Sequence, residues 1–197
     1  GMPAAGTEER MIKMKVLINA GHAPNGNPDP GAVGPTGLRE CDVVCNIAHM
    51  TVDYLIKAGV QADFIQDDSL EAICDTANDG DYDLLLSIHC NSFDESAHGI
   101  EVWTSRGWTR SDAFATLLME QMSDTFPDLT VRADWSDGDV DKEAGLYVLR
   151  NSDCPAALFE LPFISNPDEE EWLRDADNQH EAARAFARAV TDYAQTI

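Results

Sequence analysis

Three short apolar runs in this chain each end on a side chain that can bind a metal or carry a proton. Residues 16–20 lead through Gly21 to His22, residues 84–88 lead to His89, and residues 156–159 lead to Glu160. Apolar runs of this length, bounded by turn signals, read as buried strands. In an open parallel sheet the carboxyl ends of the strands share one crevice, and ligands bind there. The pattern therefore constrains the fold and the place of function together.

The segments between these runs alternate in kind. A strand over residues 15–19 is followed by a loop over 23–38 that is rich in Gly and Pro. Its stretch Asn25-Gly26-Asn27-Pro28-Asp29-Pro30-Gly31 forbids regular structure. Over residues 40–58 the apolar Val44, Ile47, Ala48 and Leu55 share one helical face, and Gly59 stops the helix, which places Glu40 in or beside its first turn. A strand at 62–66, a helix at 69–77 and a strand at 83–89 complete a β-α-β-α-β series. Further on, the pattern predicts a strand at 99–104, a helix at 112–125 stopped by Pro127, strands at 146–149 and 156–161, and an acidic helix at 168–173. A last helix over 181–195 carries Ala183, Phe186, Ala187, Val190 and Ala194 on one face. Residues 132–142 are acidic and irregular and read as a mobile surface loop.

This alternation predicts an α/β fold: a single domain with a mostly parallel twisted sheet of about six strands and helices on both faces. The expected domain spans residues 14–197. Residues 1–13 read as a tag remnant, Gly1 preceding Met2, and an N-terminal extension.

Composition narrows the function classes. With 44% hydrophobic and 25% charged residues the chain has the balance of a folded protein. No apolar stretch approaches the roughly 18 residues needed to cross a bilayer, so no membrane insertion is expected. A formal charge of −23 argues against nucleic acid, whose binders neutralise phosphates with basic stripes. The same charge around a cleft favours a divalent cation over an anion. Glu8, Glu9 and Arg10 interrupt the place where a secretory signal would have its apolar run, so no signal peptide is visible. The five cysteines are an odd number without paired spacing and read mainly as reduced structural thiols, although Cys41 and Cys45 lie one helical turn apart.

A catalytic zinc commonly takes three protein ligands from His and Asp or Glu and keeps a position for water. His22, Glu40 and His89 can supply that set, and Glu160, at the next strand end, is the candidate general base. Each residue also has a plainer reading. A His after a strand is commonly a hydrogen-bonded structural residue, and a Glu at a helix start compensates the helix dipole. A lone Glu ending a buried strand is less ordinary, because an unpaired charge there is costly. By residue logic alone the four fit a metal hydrolase and a polar structural network about equally.

Of the other histidines, His49 and His180 fall on helices as surface or packing residues, while His98 lies in a loop from which it could reach the cleft. Asn91 and Ser92, directly after the third strand, are placed to orient substrate. Arg150, at the end of the 146–149 segment, could meet a peptide carboxylate or form an exposed salt bridge.

At these residues the chain resembles the zinc-dependent N-acetylmuramoyl-L-alanine amidases, amidase family 3, which include the catalytic domains of autolysins, cell-division amidases and phage endolysins. The resemblance rests on Ile18-Asn19-Ala20-Gly21-His22, on Asp29-Pro30-Gly31-Ala32 through Gly34, Gly37 and Glu40, and on Ser87-Ile88-His89-Cys90-Asn91-Ser92. Gly99-Ile100-Glu101-Val102, Leu146-Tyr147-Val148-Leu149-Arg150 and Glu160-Leu161-Pro162-Phe163-Ile164-Ser165-Asn166 complete it. It implies one Zn2+ per chain on His22, Glu40 and His89, with Glu160 as the catalytic glutamate. It also implies a peptidoglycan or muropeptide substrate, cut at the amide between N-acetylmuramic acid and L-alanine, and so action on the cell wall; the chain is expected to be a monomer.

Two departures from the family pattern stand out: Cys90 where alanine is usual and Pro162 where glycine is common. The long inhibitory helix of some division amidases has no room here, and no wall-binding repeat is visible. Two other readings compete: a metal-dependent peptidase cutting within the stem peptide, and a wall-binding module that kept the cleft without turnover.

Overall fold

The computed structural model describes residues 12–197, so the N-terminal extension expected at residues 1–13 falls outside the described residues except for its last two positions. Its strands are β1 (Ile12–Ala20), β2 (Val60–Gln66), β3 (Leu84–Cys90), β4 (Glu101–Thr104), β5 (Lys142–Glu143) and β6 (Ala156–Leu161). Its helices are α1 (Glu40–Lys57), α2 (Leu70–Asp79), α3 (Arg110–Thr125), α4 (Tyr147–Arg150), α5 (Pro167–Arg174) and α6 (Ala176–Tyr193).

The six strands form one sheet in the order β2-β1-β3-β6-β4-β5. β1, β2, β3 and β6 run parallel. β4 runs antiparallel to β6, and β5 is parallel to β4.

Strand parity divides the core into two layers, because successive side chains point to opposite faces. Val16 and Ile18 of β1, Leu84, Leu86 and Ile88 of β3, and Phe159 of β6 pack with α1, α3 and α6. The residues of opposite parity, Leu17, Leu85 and Leu158, pack with α2 and α4 in a smaller layer. Phe186 of α6 meets Phe159 edge-on at 5.1 Å between ring centroids, in the larger layer. Because α1 and α2 lie on opposite faces, the chain leaves β1 in one direction and returns to β3 from the other. The carboxyl ends of β1 and β3 thus flank a topological switch point, the place where such sheets bind ligands.

Local chemistry fixes the helix boundaries. Ser69 accepts from the Ala72 N–H at the start of α2. Thr109 and Asp112 form a reciprocal capping box on α3. Asn166 caps α5 through the N–H groups of Asp168 and Glu169. Asp175 caps α6, which starts at Ala176, five residues before the sequence pattern suggested.

Two expectations are corrected. Residues 146–149 do not form a strand: residues 147–150 are the short helix α4, with Leu146 before it. Val148 and Leu149 are buried against the α2 side of the sheet, and an apolar run of four fits a buried helical turn as well as a strand. The sixth strand is instead β5, paired through Trp103↔Lys142 and Thr104↔Glu143. Residues 132–142 are not simply a surface loop either, since Val140 is 6% exposed and Asp141 2%.

Candidate active site

His22, Glu40 and His89 converge at the switch point. His22 follows β1 with a positive φ of 67°, a conformation uncommon for a non-glycine residue and concentrated at functional sites. His89 is the penultimate residue of β3. Glu40 opens α1 and is 3% exposed. Each offers one ligand atom, and these atoms all lie within 4.8 Å of one another.

The geometry around Glu40 is specific. Its Oε1 meets His22 Nε2 at 2.9 Å and His89 Nδ1 at 3.1 Å. The same oxygen accepts from the Cys90 N–H at 3.0 Å, and Oε2 accepts from the Ala32 N–H at 2.9 Å. The Gly/Pro-rich loop makes this possible by capping α1, whose first N–H groups would otherwise lack partners. Glu40 N–H donates to the Ala32 carbonyl at 2.9 Å and Cys41 N–H to the Pro30 carbonyl at 3.1 Å.

On its far side the His22 ring is held by Asp29, Nδ1 to Oδ2 at 2.7 Å, while Asp29 Oδ1 accepts from the Gly31 N–H at 2.9 Å. A carboxylate on the second ring nitrogen fixes tautomer and orientation, as is usual behind metal-binding histidines. Two glycines leave room for the rings. A Cβ on Gly21 would collide with His89. One on Gly31, where φ is 69°, would come within 2.5 Å of the His22 ring and 2.7 Å of Glu40.

Electrostatics matches this picture. Burial opposes charge on His22, but Glu40 and Asp29 outweigh it and bring its pKa up to about 9. Burial likewise opposes charge on Glu40, and the two histidines outweigh it, holding the carboxyl at about 2. The cluster is thus a buried, ionised carboxylate between two imidazoles, a negative charge that draws a cation to the site.

Glu160 pairs in register with His89 on β3 and with Glu101 on β4. Its Oε2 is buried without a hydrogen-bond partner. Burial raises its pKa to about 7; the charges of Glu40 and Glu101 add to the rise, and those of His89 and His22 oppose it. A carboxyl poised near neutrality in a cleft is the usual condition of a general base.

Glu101 is itself buried and bound from three sides. Asn91 Nδ2 donates to it at 2.7 Å, Lys142 Nζ at 2.6 Å and Arg132 Nε at 3.1 Å. Burial opposes its ionisation, but these three donors outweigh burial and hold the carboxyl below its ordinary range. The residues expected to orient substrate are therefore placed differently from one another. Asn91 spends its amide on Glu101, and its Oδ1 accepts from the Ser92 N–H at 2.9 Å. Ser92 is exposed beside the cleft.

Arg150 is not brought to the cluster. The residue after it, Asn151, accepts at its carbonyl from Asn78 near the end of α2, by the amino ends of β3 and β6 and so at the other end of the strands from the cluster. His98 is exposed and turned to the Ser96 carbonyl at 3.1 Å. His49 stacks on Phe64, and His180 bonds the Tyr54 hydroxyl at 3.1 Å. All five cysteines are free, with Cys41, Cys74 and Cys90 buried.

A model of the family described as N-acetylmuramoyl-L-alanine amidase matches residues 16–192. The chain belongs to the N-acetylmuramoyl-L-alanine amidase family. Relatives of this amidase agree. It is 31% identical over 195 residues to the uncharacterized protein YqiI of Bacillus subtilis (strain 168), covering 97% of this chain and 90% of that one. It is also 31% identical over 183 residues to the N-acetylmuramoyl-L-alanine amidase LytC of the same strain, covering 90% of this chain and 35% of LytC. The N-acetylmuramoyl-L-alanine amidase AmiC2 of Nostoc punctiforme superposes with a TM-score of 0.82 at 28% identity, over 92% of this chain and 97% of that one. The reaction is that of the family: hydrolysis of an amide in peptidoglycan.

Sequence reasoning named the three converging residues and Glu160 but gave Asp29 no role of its own, although an aspartate opening an Asp-Pro-Gly turn is expected to accept from the N–H two residues on, here Gly31. It also missed the supports supplied by α5. Glu170, 1% exposed, accepts from the N–H groups of Thr36 and Leu38, and Glu169 accepts from those of Gly99 and Phe163. An acidic run on a short helix reads as solvated surface, so no local signal pointed to these bonds.

Proposed function

We propose that this amidase binds one zinc ion on His22, Glu40 and His89 and uses Glu160 as general base to cut the amide between N-acetylmuramic acid and L-alanine. The buried, unpartnered Glu160 Oε2 beside the cluster is the observation that carries the reading. Two imidazoles and one carboxylate are a donor set suited to catalytic zinc, and the gaps at Gly21 and Gly31 keep the rings and the carboxylate in place. Zinc held there would supply Lewis acidity, polarising the scissile carbonyl and acidifying the attacking water.

The chain's own groups account for the remaining steps. Glu160 takes the proton from the attacking water and returns it to the departing amide nitrogen. Glu101 beside it, held anionic by Lys142 and Arg132, disfavours a second negative charge and so keeps Glu160 basic. Asp29 prevents His22 from turning. In this reading Ser92 touches substrate, whereas Asn91 acts as a positioning residue through its bond to Glu101. The proposed steps call on no residue of a second chain, and action as a monomer on the cell wall is part of the proposal. Among the described residues no helix is long and apolar enough to cross a membrane.

Zinc-loaded protein is expected to release intact stem peptides from peptidoglycan, with L-alanine as the new amino terminus. Mass analysis showing new termini inside the stem peptide would favour a peptidase instead. Tight muropeptide binding with no new ends would favour a binding module.

A further inference from the structure

A second group of carboxylates lies beside the β4–β5 edge, away from the histidines. Asp139 and Asp141 flank Val140, whose burial draws this stretch into the protein. Asp141 is 2% exposed, and its Oδ2 accepts from the buried Thr104 hydroxyl at 2.5 Å. No N–H or O–H donates to its Oδ1 or to the buried Oδ1 of Asp139, and the two carboxyl groups lie within hydrogen-bond reach of one another.

The surroundings do not supply a counter-charge. Lys142 is turned to Glu101, with Nζ at 2.6 Å. Asp112 is occupied by the Thr109 N–H at 2.7 Å, and Glu143 accepts from the Gly107 N–H at 3.0 Å. Among the described residues no Lys, Arg or His forms an ion pair with Asp139 or Asp141. Buried carboxylate oxygens without partners are costly, and two that lie together are satisfied by a hard cation, which binds through oxygen.

We propose that Asp139 and Asp141 form a binding site for a divalent cation of the calcium class, separate from the His22–Glu40–His89 cluster. The donors are all oxygen, with no imidazole or thiolate, which selects calcium or a similar hard ion over zinc. Calcium takes about six to eight oxygen ligands, so solvent and main-chain carbonyls complete the set. Burial, with Asp139 and Asp112 nearby, pushes Asp141 up to about 7, so without the cation a proton occupies the pair and must be displaced on binding. A cation here ties the stretch before β5 to Thr104 of β4, and so holds Lys142 against Glu101.

The test uses terbium, a luminescent calcium substitute, on the zinc-loaded full chain, with Trp103 beside Thr104 as the sensitising indole. One saturable site is expected, displaced by calcium. Asp139→Asn should weaken it at least tenfold, and His22→Ala should leave it unchanged. Asp139 is less buried than Asp141, so this variant probes the site with little risk to folding. Calcium should also raise the Tm of the parent protein but not of Asp139→Asn. Absence of a saturable signal overturns the proposal, because the pair then shares only a proton. Equal affinity in Asp139→Asn overturns it in favour of diffuse binding to the acidic surface, and loss in His22→Ala would put the ion on the histidines.

Discussion

At the scale of single residues, the candidate site is a contest between burial and neighbouring charge. Glu160 loses hydration without gaining a partner, so its pKa rises to about 7. As the proposed base it must be ionised, so kcat/KM should fall as pH drops through an acid limb at or below about 7. A bound cation adds to the pull of His89 and lowers that limb. Glu160→Gln should abolish the limb along with most of the rate, and an unchanged limb in that variant would count against the assignment. His22 has the opposite sign: Glu40 and Asp29 raise it to about 9, so protons compete for the imidazole below that pH. Zinc affinity should therefore rise with pH and binding should release protons, which titration calorimetry in buffers of different ionisation enthalpy reads directly. His22, Glu40, His89 and Glu160 were legible in the sequence because each sits at an element boundary. Asp29 was not given its role because a turn aspartate bonds its own backbone far more often than a distant ring.

At the scale of elements, α5 does more than its composition suggests. Glu170 accepts from the Thr36 and Leu38 N–H groups and the Thr36 hydroxyl, and it thereby holds the loop that leads into Glu40. Removing one buried acceptor strands several donors, each costing about 1–3 kcal/mol. Glu170→Ala should destabilise the protein by about 2 kcal/mol or more and weaken metal binding. Denaturant unfolding and zinc titration check both effects, and a loss no larger than that of an exposed Glu→Ala change would contradict this role. The parallel strands and long helices were legible because hydrophobic periodicity reports them directly. α4 was misread because Tyr147-Val148-Leu149-Arg150 is too short for period to discriminate, and β5 was missed because a two-residue strand has none. The bonds made by Glu169 and Glu170 span long stretches of sequence, which local patterns do not carry.

At the scale of the whole molecule, a charge of −23 faces a polymeric substrate that carries carboxylates of its own. Salt screens such repulsion, with a Debye length of about 10 Å at 0.1 M. Hydrolysis of intact wall should therefore rise with moderate salt, while hydrolysis of a small soluble muropeptide should respond much less; equal salt responses would show that surface charge does not govern access. The sheet order brings the ends of β1 and β3 and the start of α1 to one switch point, with Glu160 on the neighbouring β6, and the proposed chemistry depends on that convergence. The most direct measurement is zinc content and amidase rate, determined together, for the parent chain and Glu160→Gln. The account predicts one zinc per chain in both proteins and a rate lowered by about 10²–10⁴ in the variant, the range expected for loss of a general base. A variant that keeps its zinc and cleaves at the parental rate would contradict it.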